Sequence, residues 1–198
     1  QGGGAVMLGI GGVLRNSVLY NNTATSGGGV FTYGGTVRDC SIVSNTANGS
    51  ASFGGGGVFA YNYAGTIVSN CDIAWNMTGV TSLGGAGVWV NGGGAVVEQC
   101  TVNSNFATVN GGGLYFNGPG IARNCSAISS NSAAVGGGIY MANDGTASNC
   151  FIYNNRSTAV ADNLSGGGVA MYIALGTLQD CVVSNNTSAG GGGGVCMW

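Results

Sequence analysis

One motif recurs along almost the whole chain and limits what the chain can fold into. In its clearest copy, residues 27–45 read GGGVFTYGGTVRDCSIVSN: three glycines, two short runs of β-forming residues, a cysteine and, five residues later, an asparagine. Such self-similarity at a fixed period is typical of solenoids, propellers and other repeat arrays. The copies follow one another at intervals of 25 to 30 residues and begin near Gly2, Gly27, Gly55, Gly85, Gly111, Gly136, Gly166 and Gly192.

Each copy holds three short runs that are rich in β-branched and aromatic residues and bounded by glycine or asparagine, a pattern typical of strands. A propeller blade needs about 40 residues, which is more than one copy supplies. The unit fits one coil of a parallel β-helix, in which equivalent strands of successive coils pair about 4.8 Å apart. The sequence therefore predicts a single all-β solenoid domain over residues 1–198, with about seven three-strand coils and a partial eighth.

Alternation along the strands predicts which side chains fill the interior. In the second copy Val30 and the cysteine that opens the third strand both point inward. Seven cysteines is an odd total, which argues against a complete disulfide framework. We interpret them as small buried hydrophobes, with cross-coil disulfides as the alternative. The predicted inward column consists of Cys40, Cys71, Cys100, Cys125, Cys150 and Cys181.

The asparagine that follows the third run is predicted to close a turn. Asparagine tolerates left-handed backbone, and its amide can form hydrogen bonds along the stack. The first copy has Ser17 in place of the cysteine but keeps the asparagine, and in the fifth copy the asparagine comes one residue later. This predicted ladder consists of Asn22, Asn45, Asn76, Asn105, Asn131, Asn155 and Asn186.

An aromatic residue occupies the second position of the first strand in five consecutive copies. Alternation points these rings outward, so the sequence predicts an exposed aromatic column, and an apolar patch of that kind needs a reason. Three interpretations stay open: packing against another protein, cover by a loop of the same chain, and stacking on sugar rings. The column consists of Phe31, Phe59, Trp89, Tyr115 and Tyr140, with Tyr33, Tyr61 and Tyr172 in a partial second column.

Composition narrows the class of partner. Charged residues make up 5% of the chain, the net charge is −2, and the four basic residues are all arginines. Without a basic footprint, nucleic acid and anionic membrane surfaces are poor partners. No apolar run approaches the roughly 20 residues of a membrane span. A surface of Asn, Ser, Thr, Gly and Tyr indicates an extracellular or cell-surface protein.

The six acidic residues are scattered, whereas enzymes that cleave glycans need positioned and usually paired carboxylates. The best candidates are Asp144 and Asp162, which flank one unit and could approach Asp180 in the next coil. Stacking also predicts an ion pair between Glu98 and Arg123 in adjacent coils. Because histidine is absent and the cysteines are widely spaced, no metal or cofactor site is predicted.

The repeated GGG[VIL] and [IV]xxN motifs resemble the GGA[ILV] and FxxN repeats of polymorphic outer-membrane proteins, which are bacterial autotransporter passengers. The resemblance covers the units from Gly2 onward, with glycine in place of the motif alanine and isoleucine or valine in place of the motif phenylalanine. It implies a right-handed parallel β-helix with an adhesive role at the cell surface. Related repeats also occur in pectate-lyase-like enzymes.

We therefore expect a non-enzymatic extracellular structural or adhesive β-helix protein, without a cofactor. Neither terminal unit has a sequence typical of a polar cap. For this reason we expect copies to stack end to end into a filament, or the chain to form part of a longer surface fibre. A surface glycan or a protein partner remains open, and the alternative function is a polysaccharide-binding or polysaccharide-cleaving β-helix protein.

Overall fold

A computed structural model describes residues 4–8, 10–49, 54–61, 64–79, 83–160, 165–172 and 175–198. Within these ranges the chain forms strands and turns and contains no helix. Gly2, Asp162 and parts of the connections around residues 50–53 and 80–82 lie outside the described residues. Statements about these positions therefore remain predictions from the sequence.

Short strands wind around the molecule coil after coil. The first coil contains β1 (Ala5–Leu8), β2 (Val13–Arg15), β3 (Val18–Tyr20) and β4 (Thr23–Ala24). The second contains β5 (Val30–Tyr33), β6 (Thr36–Arg38), β7 (Ser41–Val43) and β8 (Thr46–Ala47). The third contains β9 (Val58–Tyr61), β10 (Ile67–Ser69), β11 (Asp72–Ala74) and β12 (Met77–Thr78). The fourth contains β13 (Val88–Asn91), β14 (Val96–Glu98) and β15 (Thr101–Asn103).

The remaining coils repeat this order. The fifth contains β16 (Leu114–Asn117), β17 (Ile121–Arg123), β18 (Ala127–Ser129) and β19 (Ser132–Ala133). The sixth contains β20 (Ile139–Met141), β21 (Thr146–Ser148), β22 (Phe151–Tyr153) and β23 (Arg156–Ser157). The seventh contains β24 (Val169–Met171), β25 (Thr177–Gln179), β26 (Val182–Ser184) and β27 (Thr187–Ser188). The last strand, β28 (Val195–Met197), opens an eighth coil.

Equivalent strands of successive coils pair in parallel, which makes the molecule a parallel β-solenoid. The first strands of the coils form an eight-stranded sheet, and the second and third strands form two seven-stranded sheets. Pairing joins equivalent repeat positions, as in Val30 to Val58 and Val58 to Val88. The all-β parallel solenoid predicted from the sequence is confirmed. The short strands after the ladder asparagines, which form two three-stranded sheets, were not predicted.

A continuous apolar core runs along the interior. The two inward positions of the first strand are buried in the central coils, as at Val88 and Val90. They pack against the central residue of the second strand, such as Val97, and of the third strand, such as Val102. Each interior position thus stacks on its equivalent in the neighbouring coils, as alternation predicts.

Two left-handed turns bend each coil. The first lies directly before the cysteine position, at an Asn, Asp or Gln residue with φ near +50°. The second lies directly before the ladder asparagine. Sequence analysis had placed the asparagine itself at this corner, but the positive φ belongs to the preceding residue. The second set of turn residues is Asn21, Ser44, Trp75, Ser104, Ser130, Asn154 and Asn185.

Candidate functional site: the inter-coil ladders and the aromatic face

The asparagine ladder is a continuous chain of amide hydrogen bonds inside the solenoid. In each step the amide nitrogen donates to the amide oxygen of the next coil, as from Asn76 Nδ2 to Asn105 Oδ1 at 3.0 Å. The same oxygen accepts the Asn76 backbone N–H at 2.9 Å, and Asn105 Nδ2 donates to the Ile73 carbonyl at 2.9 Å. The steps run from Asn22 to Asn186 through all seven asparagines named from the sequence. The extra residue in the fifth copy does not break the ladder.

The cysteine column lies inside the same core. Cys40, Cys71, Cys100, Cys125 and Cys150 are buried, Cys181 is half-buried, and all six are free thiols. Their S–H groups donate to backbone carbonyls, as from Cys100 to the Glu98 carbonyl at 3.2 Å. Burial raises the pKa of the Cys40 and Cys181 thiols. Protonated, buried thiols of this kind are poor nucleophiles and poor metal ligands.

The prediction of an exposed aromatic column is wrong. The rings do leave the solenoid interior, but Phe31, Phe59, Trp89, Tyr115 and Tyr140 are each at most 9% exposed. They contact one another along the first sheet, with ring centroids 4.8 Å apart between Phe59 and Trp89 and 5.4 Å apart between Trp89 and Tyr115. Together with Ala170 they form a second apolar cluster outside the main core.

The cover comes from the same chain. Leu83 and Val135, which directly precede two of the glycine runs, pack against the aromatic cluster. The segments that carry them stack on each other through parallel bridges from Gly84 to Asn110 and from Asn110 to Val135. Of the three interpretations, cover by a loop of the same chain therefore describes the five inner rings. Alternation could not reveal this cover because it reports only the direction in which a side chain leaves the strand.

Burial changes the acidity of two tyrosines in this cluster. Desolvation, aided by the neighbouring Tyr140, raises the pKa of Tyr115 to about 12. Desolvation also raises the pKa of Tyr140. Both phenols stay neutral at physiological pH. The two rings therefore pack as apolar side chains that each carry one hydroxyl group.

The partial second column keeps part of its predicted exposure. Tyr61 is 37% exposed and Tyr172 is 42% exposed. Tyr33 is half-buried and contacts Tyr61 at a tilted angle, with ring centroids 5.5 Å apart, and Tyr172 contacts Trp198 with ring centroids 5.7 Å apart. Each pair is formed by residues of two neighbouring coils. The two pairs lie on one face of the first sheet, towards its opposite ends.

A short amide ladder lies between these two aromatic pairs, and it was missed from the sequence. Asn117 Nδ2 donates to Asn91 Oδ1, and Asn143 Nδ2 donates to Asn117 Oδ1, both at 3.1 Å. Asn91 pairs with Tyr61 in the sheet, so the amide ladder continues the second aromatic column. The available signal was the asparagine at the end of the first strand in two consecutive copies, Asn91 and Asn117, followed by Asn143 just after the first strand of the next copy.

The charged groups in the described part of the chain lie on the outside, and four of them form two ion pairs. The predicted ion pair between Glu98 and Arg123 is confirmed, at 2.7 Å. Arg38 pairs with its neighbour Asp39 at 2.6 Å. A hydrogen bond from Asn70, together with Arg38, lowers the pKa of the Asp39 carboxyl.

The described residues hold no group of three or more side chains suited to bind a metal. Asp72 accepts hydrogen bonds from Thr101 and Asn103 of the next coil. Neither Asp144 nor Asp180 belongs to such a group among the described residues, and the third member of the predicted acidic group, Asp162, lies outside them. In the described part of the chain, no helix has the length and apolar character of a membrane span.

A cavity of about 530 Å³ lies at the seventh coil, where the solenoid interior is open. Four of its six lining residues are apolar side chains of the last two coils, and none of the six is charged. The lining residues are Met171, Gly176, Thr177, Leu178, Val195 and Met197. The cavity is therefore a continuation of the apolar core rather than a site for acid–base chemistry.

Comparisons with known proteins agree with this architecture. The family model described as "Right handed beta helix region" matches residues 29–198. No curated protein and no solved structure matches the chain at a significant level.

Proposed function

Since the chain belongs to the right-handed β-helix family, we propose that it is a non-enzymatic structural or adhesive protein of the extracellular surface, whose coils extend end to end as part of a fibre. The β-helix fold occurs in enzymes as well as in binding and structural proteins. The proposal therefore depends on what the side chains of this chain contact.

The main support is that the recurring side chains connect coils. The asparagine ladder bonds each coil to the next from Asn22 to Asn186, and the thiols and apolar residues fill the interior. Leu178 and Val183 in the seventh coil belong to the interior columns but stay only partly buried. A further coil, in the same chain or in another copy, would bury them. About 25 cal/mol would be gained per Å² of apolar surface covered.

Electron microscopy of the purified chain over a concentration series tests this proposal. We expect elongated particles whose length grows with protein concentration. Leu178→Lys places a charge at the open interior and should abolish this growth, because the burial of an unpaired charge is strongly unfavourable. Val182→Lys is the matched control, since Val182 points outward from the adjacent strand and is exposed. Dispersed particles of constant length at all concentrations would contradict end-to-end assembly.

A second candidate function is binding of a neutral glycan, and the face between the two aromatic pairs favours it. Partly exposed aromatic rings at Tyr61 and Tyr172 flank the amide ladder of Asn91, Asn117 and Asn143. Rings offer an apolar surface with a polar tip, while amides both donate and accept hydrogen bonds, which suits a hydroxyl-rich ligand.

A glycan array separates this candidate from the first. If the face binds sugar, Tyr61→Ala should remove the signal while the fold is retained, because the ring is partly exposed. Phe59→Ala is not a suitable probe, since Phe59 is buried and its loss would damage packing. Wild-type protein that binds no glycan excludes the second candidate and leaves the structural proposal unaffected.

A further inference from the structure

Three large apolar side chains lie exposed next to one another on the third and fourth coils. Trp75 is 66% exposed, and Met77 and Phe106 are each 45% exposed. Met77 and Phe106 are direct partners in a parallel bridge between the coils, and Trp75 lies two residues before Met77. We call these three residues the Trp75 patch. Single surface hydrophobes need no explanation, whereas contiguous ones mark interaction sites.

The backbone conformation at Trp75 is unfavourable for the bulky residue that occupies it. Its φ is +57°, in the left-handed region that disfavours bulky side chains. The other coils have residues at the equivalent turn that suit such a conformation or are small. They are Asn21, Ser44, Ser104, Ser130, Asn154 and Asn185. A tryptophan in an unfavourable backbone conformation that is also 66% exposed gains little from its own coil, which favours a contact outside the coil.

The patch is complementary to itself. Met77 and Phe106 occupy equivalent positions in adjacent coils, so a two-fold axis that passes between these coils at right angles to the solenoid exchanges them. In this arrangement Met77 of one copy packs on Phe106 of the other copy, twice. Contacts between a thioether and an aromatic ring are favourable. Each Trp75 would then lie over Ser104 of the other copy, at a small residue.

Charge also favours a second copy as the partner. None of the three patch residues is charged, and the whole chain has a net charge of only −2. Two copies therefore meet without strong electrostatic repulsion. A basic or acidic partner would gain no complementary charge from the patch itself.

From these observations we propose that the Trp75 patch is the contact of a lateral, antiparallel dimer of this chain. Trp75 is the central anchor, in keeping with the enrichment of tryptophan among residues that dominate binding. The contact lies on the side of the solenoid and does not depend on the proposed end-to-end extension. Side-by-side pairing would join two solenoids rather than lengthen one.

Sedimentation equilibrium over a dilution series of the full chain tests the dimer. We expect Trp75→Asn to weaken dimerisation by at least about tenfold, because a central anchor is removed. Phe106→Ser should weaken dimerisation as well, because it removes a ring of the patch. The fold should tolerate serine there, since Ser132 occupies the equivalent position in the next coil. Phe151→Thr is the matched control. It removes an aromatic ring of similar exposure, 49%, on the neighbouring third sheet, and it should leave dimerisation unchanged.

Trp75→Asn also separates a lost contact from lost folding. Because asparagine suits the left-handed turn, the variant should unfold at the same temperature as the wild type or a higher one when both are measured at a dilution where they are monomeric. Leu178→Lys should block end-to-end growth and leave the Trp75-dependent dimer intact, so the two proposals fail independently. A wild-type chain that stays monomeric overturns the dimer, and so does a Trp75→Asn variant that dimerises like the wild type. Binding of another protein or of a glycan to the patch of a monomeric chain would also overturn it.

Discussion

At the scale of single residues, the asparagine amide has the most demanding position in the molecule. Asn105 is 1% exposed, and it bonds through both ends of its amide to the coils before and after it. A buried polar group with all its partners stabilises the fold, but removal of one member leaves the others unpaired in an apolar interior.

Asn105→Ala should therefore be strongly destabilising. The substitution leaves the Asn76 N–H and the Ile73 carbonyl without their partner, at about 1–3 kcal/mol for each buried group, so we expect a total loss of about 3–5 kcal/mol. Urea unfolding followed by circular dichroism measures this loss. The control is Asn103→Ala, because Asn103 points outward two residues earlier and makes only a 3.4 Å contact with Asp72. Equal losses in both variants would show that the ladder is not the source of stability.

Tyr115 gives the aromatic cluster a measurable pH dependence. Burial raises its pKa to about 12 in the folded state, above the value of about 10 in an unfolded chain. Between these values the unfolded chain has already lost the phenolic proton that the folded chain keeps. Folding stability should therefore fall as the pH rises from about 10 to 12, by up to about 2 kcal/mol.

Unfolding experiments across this pH range, on wild type and Tyr115→Phe, check the prediction. The variant keeps the ring and removes the titrating group, so its stability should fall less steeply than that of the wild type. Identical slopes for the two proteins would mean that Tyr115 ionises like an exposed tyrosine.

At the scale of the elements, the third glycine of each run determines how closely the coils stack. A Cβ atom at Gly113 would lie 2.6 Å from the Gly138 carbonyl oxygen of the next coil and 2.9 Å from the Asn131 amide nitrogen. The backbone oxygen cannot move away without breaking the sheet. This position therefore requires glycine because of close approach rather than because of its φ.

Gly113→Ala should destabilise the protein by about 2–4 kcal/mol, since overpacking against backbone cannot be relieved by a side-chain movement. Gly194→Ala is the matched control at the same repeat position. There the nearest atom to an added Cβ is a Val183 methyl carbon at 3.6 Å, which is an ordinary contact. Thermal unfolding of both variants measures the difference. A similar shift in melting temperature for the two would rule out close stacking as the reason for the glycine.

Periodicity predicted the elements that repeat and failed where a feature depends on a partner outside the repeat. The three strand columns, the inward cysteines and the asparagine ladder each follow from spacing, because every coil places the same residue beside its equivalents. The cover over Trp89 does not follow from spacing. Leu83 and Val135 come from connecting segments whose lengths vary between copies. Trp75 was missed for a related reason, since it occupies a turn position whose other residues are Asn or Ser.

At the scale of the whole molecule, the solenoid is a one-dimensional stack. Each sheet strand pairs only with strands of the neighbouring coils, as β13 pairs with β9 and β16. Stability in such proteins is approximately the sum of the coil stabilities and the contacts between neighbours. A coil with two neighbours is consequently held more firmly than a terminal one. The inward residues Leu14 in the first coil and Leu178 and Val183 in the seventh are only partly buried, whereas Val97 and Val102 in the fourth are fully buried, which agrees with this gradient.

Hydrogen exchange followed by mass spectrometry should resolve this gradient. In dilute solution we expect the amides of β13 to β15 to exchange most slowly, and those of β2, β3 and β26 to exchange first, because opening a terminal coil breaks one interface and opening a central coil breaks two. At concentrations where copies extend end to end, exchange should slow in the terminal coils, because they gain a neighbour. In the fourth coil it should stay unchanged in the Trp75→Asn variant, which lacks the anchor of the proposed lateral contact. Leu178→Lys should remove this concentration dependence at the seventh coil. Uniform exchange along the stack would instead indicate that the molecule opens as a single cooperative unit, and slowing confined to the fourth coil would point to lateral pairing without end-to-end growth.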